Sequence, residues 1–263
     1  MVDVTPDGAR YLRVAIGERM PRPFHYRWLF PRISGTSGLR WVIGTRASLI
    51  ATSALMVLYV GGWRGVAAGC MFVGCAGAFR FNWNHPVLVD APALALALAS
   101  ACAFRAGIWP LGLALALLGG CARETSPVFA ALFAWNPLAL LGLVAPAVRH
   151  LQREGSDVLP GAEHAWILRH PIAASRKYHK GIPLAYWVMP WGAALVAAAN
   201  PSPQLIVAVV VAYAQCLVAT DTARLYQWAA PAVLLAAVNA VPMAWLSLLV
   251  ILQLANPFAG EGL

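Results

Sequence analysis

The chain has 263 residues, 60% of them hydrophobic and only 11% charged, with a mean hydropathy of +0.68, whereas soluble domains carry roughly 25% charged residues. This composition leaves no stretch long enough for a water-soluble core and points to an integral membrane protein with a polar N-terminal arm. The formal charge of +9 is almost all arginine, since Lys177 and Lys180 are the only lysines; the cations stand at the ends of apolar runs, which argues against nucleic acid and for membrane lipid phosphates as partners.

The arm, residues 1–44, begins with Thr5, Pro6 and Asp7, the order of a helix cap, a first helical residue and a first-turn acid. It continues into "PRPFHYRWLFPRI", where aromatic rings interleave with arginines as they do at a membrane interface. An early apolar core of a cleavable signal is missing, so the first hydrophobic helix is expected to direct insertion.

Residues 45–263 read as a transmembrane helical domain. Its apolar segments are Ala47–Trp63, Gly65–Phe79, Ala91–Phe104, Gly107–Cys121, Val128–Val148, Ile182–Ala199, Gln204–Thr220, Leu225–Val238 and Val241–Ala255. A span takes about 20 residues, and several of these are shorter. The expectation is an all-α polytopic bundle of about seven to nine membrane segments, some short or re-entrant, with the last two readable as one helix kinked at Pro242. Asp90-Ala91-Pro92, Ser126-Pro127 and Asp221-Thr222 read as helix starts. Asn136 and Pro137 in "WNPLALL" can break a helix. The basic connection 149–181 reads as a helix lying on anionic headgroups, with a solvated loop as the alternative. The five cysteines show no CxxC spacing and serve as small packing residues, and the histidines lack metal-site spacing.

Alternation across a membrane puts three groups on one face: the arm with Asp3 and Asp7, the "RFNWNHPVLVD" loop with Arg80, His85 and Asp90, and the "CARETSP" loop with Arg123 and Glu124. The 149–181 connection, and Asp221 with Arg224, fall on the other face. Cations divide evenly between the two, so the positive-inside rule does not choose an orientation. Adjacent helical residues point about 100° apart, so Arg123 and Glu124 face different partners. A carboxylate here can accept a proton, and an arginine fork suits phosphate. Plainer roles are a helix cap for Asp90, headgroup anchoring for Arg123 and a structural pair for Asp221 with Arg224.

The stretches "DGARYLRVAIGERMPRPFHYRWLFPRI", "HPVLVDAPALALALA" and "GLALALLGGCARETSPVF" together resemble, in order and approximate spacing, the GT-C superfamily of polytopic glycosyltransferases that use polyprenyl-phosphate sugars. The resemblance covers roughly residues 7–148. It implies that Asp7 is the loop acid that acts as base, Asp90 the acid opening a membrane helix, and Arg123 with Glu124 the basic-acidic pair near the donor phosphate, with Arg80 and His85 on the same face. It also implies an extracytoplasmic arm and a bacterial-type plasma (inner) membrane. No nucleotide-binding loop or metal motif is visible, which fits a lipid-linked sugar donor. His85 and Asp90 also satisfy the His-x4-Asp spacing of glycerolipid acyltransferases, but the accompanying α/β domain is missing. The principal alternative is a non-catalytic membrane protein: a transporter, partner subunit or scaffold.

Overall fold

The computed structural model describes residues 4–18, 20, 24–151, 166–167, 169–183, 185–217 and 223–258, and every regular element among them is helical. Asp3, Asp221 and residues 152–165 of the basic connection lie outside the described residues. In chain order the elements are α1 (Pro6–Ala15), α2 (Leu29–Ser34), α3 (Gly38–Val60), α4 (Gly62–Val73), a π-helical turn (Ala76–Phe81), α5 (Asp90–Arg105), α6 (Trp109–Ala122) and α7 (Ser126–Ala134). A 3-10 stretch (Pro137–Leu143) then runs into α8 (Val144–Leu151), followed by α9 (Pro171–His179), a kinked 3-10 stretch (Met189–Ala199), α10 (Pro203–Ala214), α11 (Ala230–Ala240) and α12 (Leu246–Leu254).

Among the described residues one helix, α3, is long and apolar enough to cross a membrane; only 28% of its most apolar window is buried, unlike the core helix of a soluble protein. A second candidate exists only if Arg224–Ala240 and Met243–Leu254 are taken as one span, and the two are bent by 118° where Pro242 intervenes. The other apolar segments form helices of less than spanning length.

The chain divides into two units, Met1–Thr52 with Asn82–Ala165, and Ser53–Phe81 with Trp166–Leu263. In the first unit α1 starts as its sequence dictates: the Thr5 hydroxyl accepts the Gly8 N–H at 3.1 Å, with Pro6 next and Asp7 in the first turn. Helix α1 rests on the segment before α5, where a Cβ on Gly8 would lie 2.9 Å from the Val87 carbonyl oxygen. Helices α5 and α6 run antiparallel, tied by the Ser100 hydroxyl donating to the Gly112 carbonyl at 2.7 Å. Ser126 is not the cap its Ser-Pro sequence suggests. Thr125 precedes α7, and the Ser126 hydroxyl donates across to the Ala93 carbonyl of α5 at 2.8 Å.

The fifth apolar segment is a hairpin rather than a continuous helix. Trp135 takes a left-handed backbone (φ 52°), and Asn136 then caps a new start by accepting the Leu138 N–H at 3.0 Å. Pro137 could not continue α7. The chain folds back along α6: Gly142 lies against Ala116 and Pro146 against Gly120, an offset of 26 residues in both pairs, so α6 and α8 run parallel and Arg149 arrives level with Arg123. This corrects the expectation that Arg149 lies at the opposite face. The alternation counted Val128–Val148 as one crossing, and the break at Trp135 makes it a return.

The second unit is built from broken helices held by amides. Gln227, fully buried, accepts the N–H groups of Gly77 and Ala78 at 2.6 and 3.0 Å and donates to the Pro190 carbonyl at 2.8 Å. Asn256 donates to the same carbonyl at 3.1 Å, and Gln253 accepts the Ala194 N–H at 3.0 Å. Between these contacts Gly192 turns the chain at φ 56°, where a Cβ would lie 2.6 Å from the Asn256 amide nitrogen.

Candidate functional site

The charged residues of the first unit converge where α1, the start of α5 and the α6–α7 turn meet. Asp90 is the first residue of α5, and its cap, Val89, makes no side-chain bond. The Asp90 carboxylate forms an ion pair with Arg123, the residue that ends α6, and both side chains are 4% exposed. Two charges removed from water this far are tolerated only because they are matched. The antiparallel α5–α6 packing supplies the match by placing the start of one helix at the end of the other.

Glu124 turns away from this pair. Arg27 of the arm grips it bidentately, with Nε donating to Oε2 at 2.8 Å and Nη2 donating to Oε1. The Arg27 Nη1 also donates to the Tyr11 hydroxyl at 2.9 Å. Tyr11 is buried against Phe24, edge to face at a centroid distance of 5.2 Å, so the arm is fixed before its arginine reaches across 97 residues of sequence. Burial works against a charged Glu124, but the Arg27 charge and hydrogen bonds, with Arg123 beyond, bring its carboxyl down to about 2. The same arrangement raises the Arg27 guanidinium well above its ordinary value in spite of burial. A carboxylate so stabilised is a weak proton acceptor near neutral pH; it positions groups rather than moving protons.

Asp7 lies at the foot of α1 in a more open setting. Its carboxylate accepts from Arg10 at 3.0 Å, one turn along, and is 24% exposed. His85 is half-buried in the segment leading to Asp90. Arg80 belongs to the second unit, where its fork donates to the Asn256 and Leu254 carbonyls at 2.5 and 2.6 Å. That is the work of a helix C-terminal cap, and it differs from the anion-binding role expected of Arg80.

Three residues of this cluster were not singled out by sequence: Arg27, Tyr11 and Arg149. The signal for Arg27 was the aromatic-arginine stretch of the arm, where composition could not tell which arginine points inward. The signal for Arg149 was Asn136-Pro137, which marks a break without giving the new direction. The Arg149 guanidinium lies over the Trp28 ring at 5.9 Å, next in sequence to Arg27. Among the described residues no group of three or more His, Cys, Asp or Glu side chains could hold a metal ion. No family model, curated protein or solved structure matches the chain.

Proposed function

We propose that this chain is an integral membrane protein of seven to nine membrane segments, and that its first unit transfers a sugar from a polyprenyl-phosphate carrier to an acceptor at the extracytoplasmic face of a bacterial-type plasma membrane. Support for the membrane comes from large apolar side chains facing outward on many helices: Leu58 is 74% exposed, Val210 60% and Ile251 61%. Lipid covers such a surface, which water would not tolerate over so many elements. Helices shorter than a span fit as re-entrant or kinked segments, as the α7–α8 hairpin illustrates.

The observation that carries the reading is the meeting of Asp90, Arg123, Glu124 and Arg27 from three distant stretches, with Asp7 on the helix that rests beside them. Asp7 is the base: its partner Arg10 is an exposed neighbour, and such a pair costs little to open. The acceptor hydroxyl gives its proton to Asp7, and its oxygen bonds to the anomeric carbon. The bond from that carbon to the carrier phosphate breaks, and the lipid phosphate leaves with the electron pair. Asp90 and Glu124 hold Arg123 and Arg27 in place around it.

The test is sugar transfer by the full chain in proteoliposomes supplied with labelled polyprenyl-phosphate hexoses. Asp7→Asn is expected to lower transfer by about 10²-fold or more. Undiminished transfer by Asp7→Asn removes the assigned base, and lack of transfer from every carrier removes the enzyme. A second reading, a transporter or other non-catalytic subunit, draws on the broken helices of the second unit, with the Gly192 turn and the 118° bend. Solute flux in the same vesicles without sugar transfer would favour it.

A further inference from the structure

The α7–α8 hairpin brings one more cation to the cluster. Arg27 and Arg123 each face a carboxylate, whereas Arg149 makes no ion pair or hydrogen bond among the described residues. Its Nε is buried and unsatisfied, as is the hydroxyl oxygen of Thr125, which lies between Glu124 and the start of α7. A buried polar atom left this way is costly unless something arrives to satisfy it. The guanidinium carbon lies 5.9 Å from the centroid of the Trp28 ring, within cation–π range, and a guanidinium fork suits the oxygens of a phosphate. The approach is close because Gly120 and Gly142 have no side chains: a Cβ on Gly120 would strike the Gly142 carbonyl, and one on Gly142 the Ala116 carbonyl.

We infer that Arg149 binds the phosphate of the lipid-linked ligand, with the Thr125 hydroxyl as a second donor, and that the α7–α8 hairpin exists to return this arginine to the arm. This rests on the reading above for the identity of the lipid, but the phosphate contact stands on the hairpin geometry and on a guanidinium that faces no carboxylate among the described residues. Inorganic phosphate and a lipid phosphate offer the same oxygens, so both belong in the test.

The full chain is placed in phosphatidylcholine nanodiscs, and binding of a polyprenyl monophosphate, of inorganic phosphate and of phosphatidylglycerol is measured for wild type, Arg149→Lys and Arg149→Gln. Wild type is expected to bind the polyprenyl monophosphate saturably. Arg149→Gln weakens that binding about tenfold or more, the loss of one charge-assisted hydrogen bond, and Arg149→Lys, which keeps the charge without the fork, falls between. Arg149-dependent binding of inorganic phosphate as well supports phosphate recognition without the chain. Trp28→Leu serves as a second variant that leaves the arginine in place, and a severalfold loss is expected from its freer guanidinium. Equal affinity of wild type and Arg149→Gln, no binding by wild type, or equal Arg149-dependent binding of phosphatidylglycerol overturns the inference. Arg149-dependent binding without sugar transfer would defeat the glycosyltransferase reading alone. Transfer with KM unchanged in Arg149→Gln would defeat the phosphate contact alone.

Discussion

The two units solve the same problem with different chemistry. Both are made of short apolar helices with polar groups at their ends. The first matches guanidinium with carboxylate, in Arg123 with Asp90 and Arg27 with Glu124. The second uses neutral amides and gives two of its arginines to helix ends: Arg64 donates to the Val238 and Val241 carbonyls, and Arg80 to those of Leu254 and Asn256. Capping by arginine satisfies orphan carbonyls without needing a counter-ion. Charge pairs are the costlier device, because each depends on both members. Among the described residues the buried guanidinium–carboxylate pairs lie in the first unit, and the functional proposal falls there.

This contrast can be broken at its strongest point by Asp90→Ala. Arg123 would remain 3% exposed without its carboxylate, and the expected loss is about 3–5 kcal/mol, read as a fall in unfolding midpoint in detergent. The double replacement Asp90→Leu with Arg123→Met removes both charges and should recover most of that loss. If the single variant were as stable as wild type, the pair would not be structural.

A smaller effect is expected in the second unit. Gln227→Leu removes the side-chain acceptor of the Gly77 and Ala78 N–H groups and one of the two amide donors to the Pro190 carbonyl, at about 2–3 kcal/mol. Unlike Asp90→Ala, its effect should not change with salt or pH.

The smallest effect sharpens the comparison by titration. Glu124 has its carboxyl lowered from the ordinary 4.5 to about 2, so between those values the unfolded chain binds the proton that the folded chain refuses, and stability rises with pH. The contribution is complete above about pH 5 and is lost as pH falls through about 2. Glu124→Gln should cost about 2 kcal/mol at neutral pH. Wild type and variant should converge at the acid end, and a constant gap between them would show that the Arg27 contact does not depend on the charge of Glu124.

Much of this is legible in the amino-acid sequence. Hydropathy alone located most of the helices from α3 onward, because an apolar run must satisfy its backbone internally and a helix does so without partners; α1, α2 and α9 lie outside the apolar runs. Thr5-Pro6-Asp7 specified the start of α1 because capping is local. Arg123 and Glu124 do look to different partners, Asp90 and Arg27, but not through helical spacing: Arg123 ends α6 in an extended conformation and Glu124 sits in the turn that follows. Parity was not legible: Asn136-Pro137 announces a break, but whether the chain continues or returns is settled by the Gly120–Gly142 seam, a contact between residues far apart in sequence. The same holds for Arg80 and Arg27, arginines alike in composition. One caps a helix end and the other holds a carboxylate, since what an arginine does depends on which acceptor the packed chain brings within reach. Sequence by itself determined the helices, the apolar faces and the supply of charge. Only the tertiary structure decided how those charges are paired and left Arg149 beside Trp28, because pairing depends on distance in space.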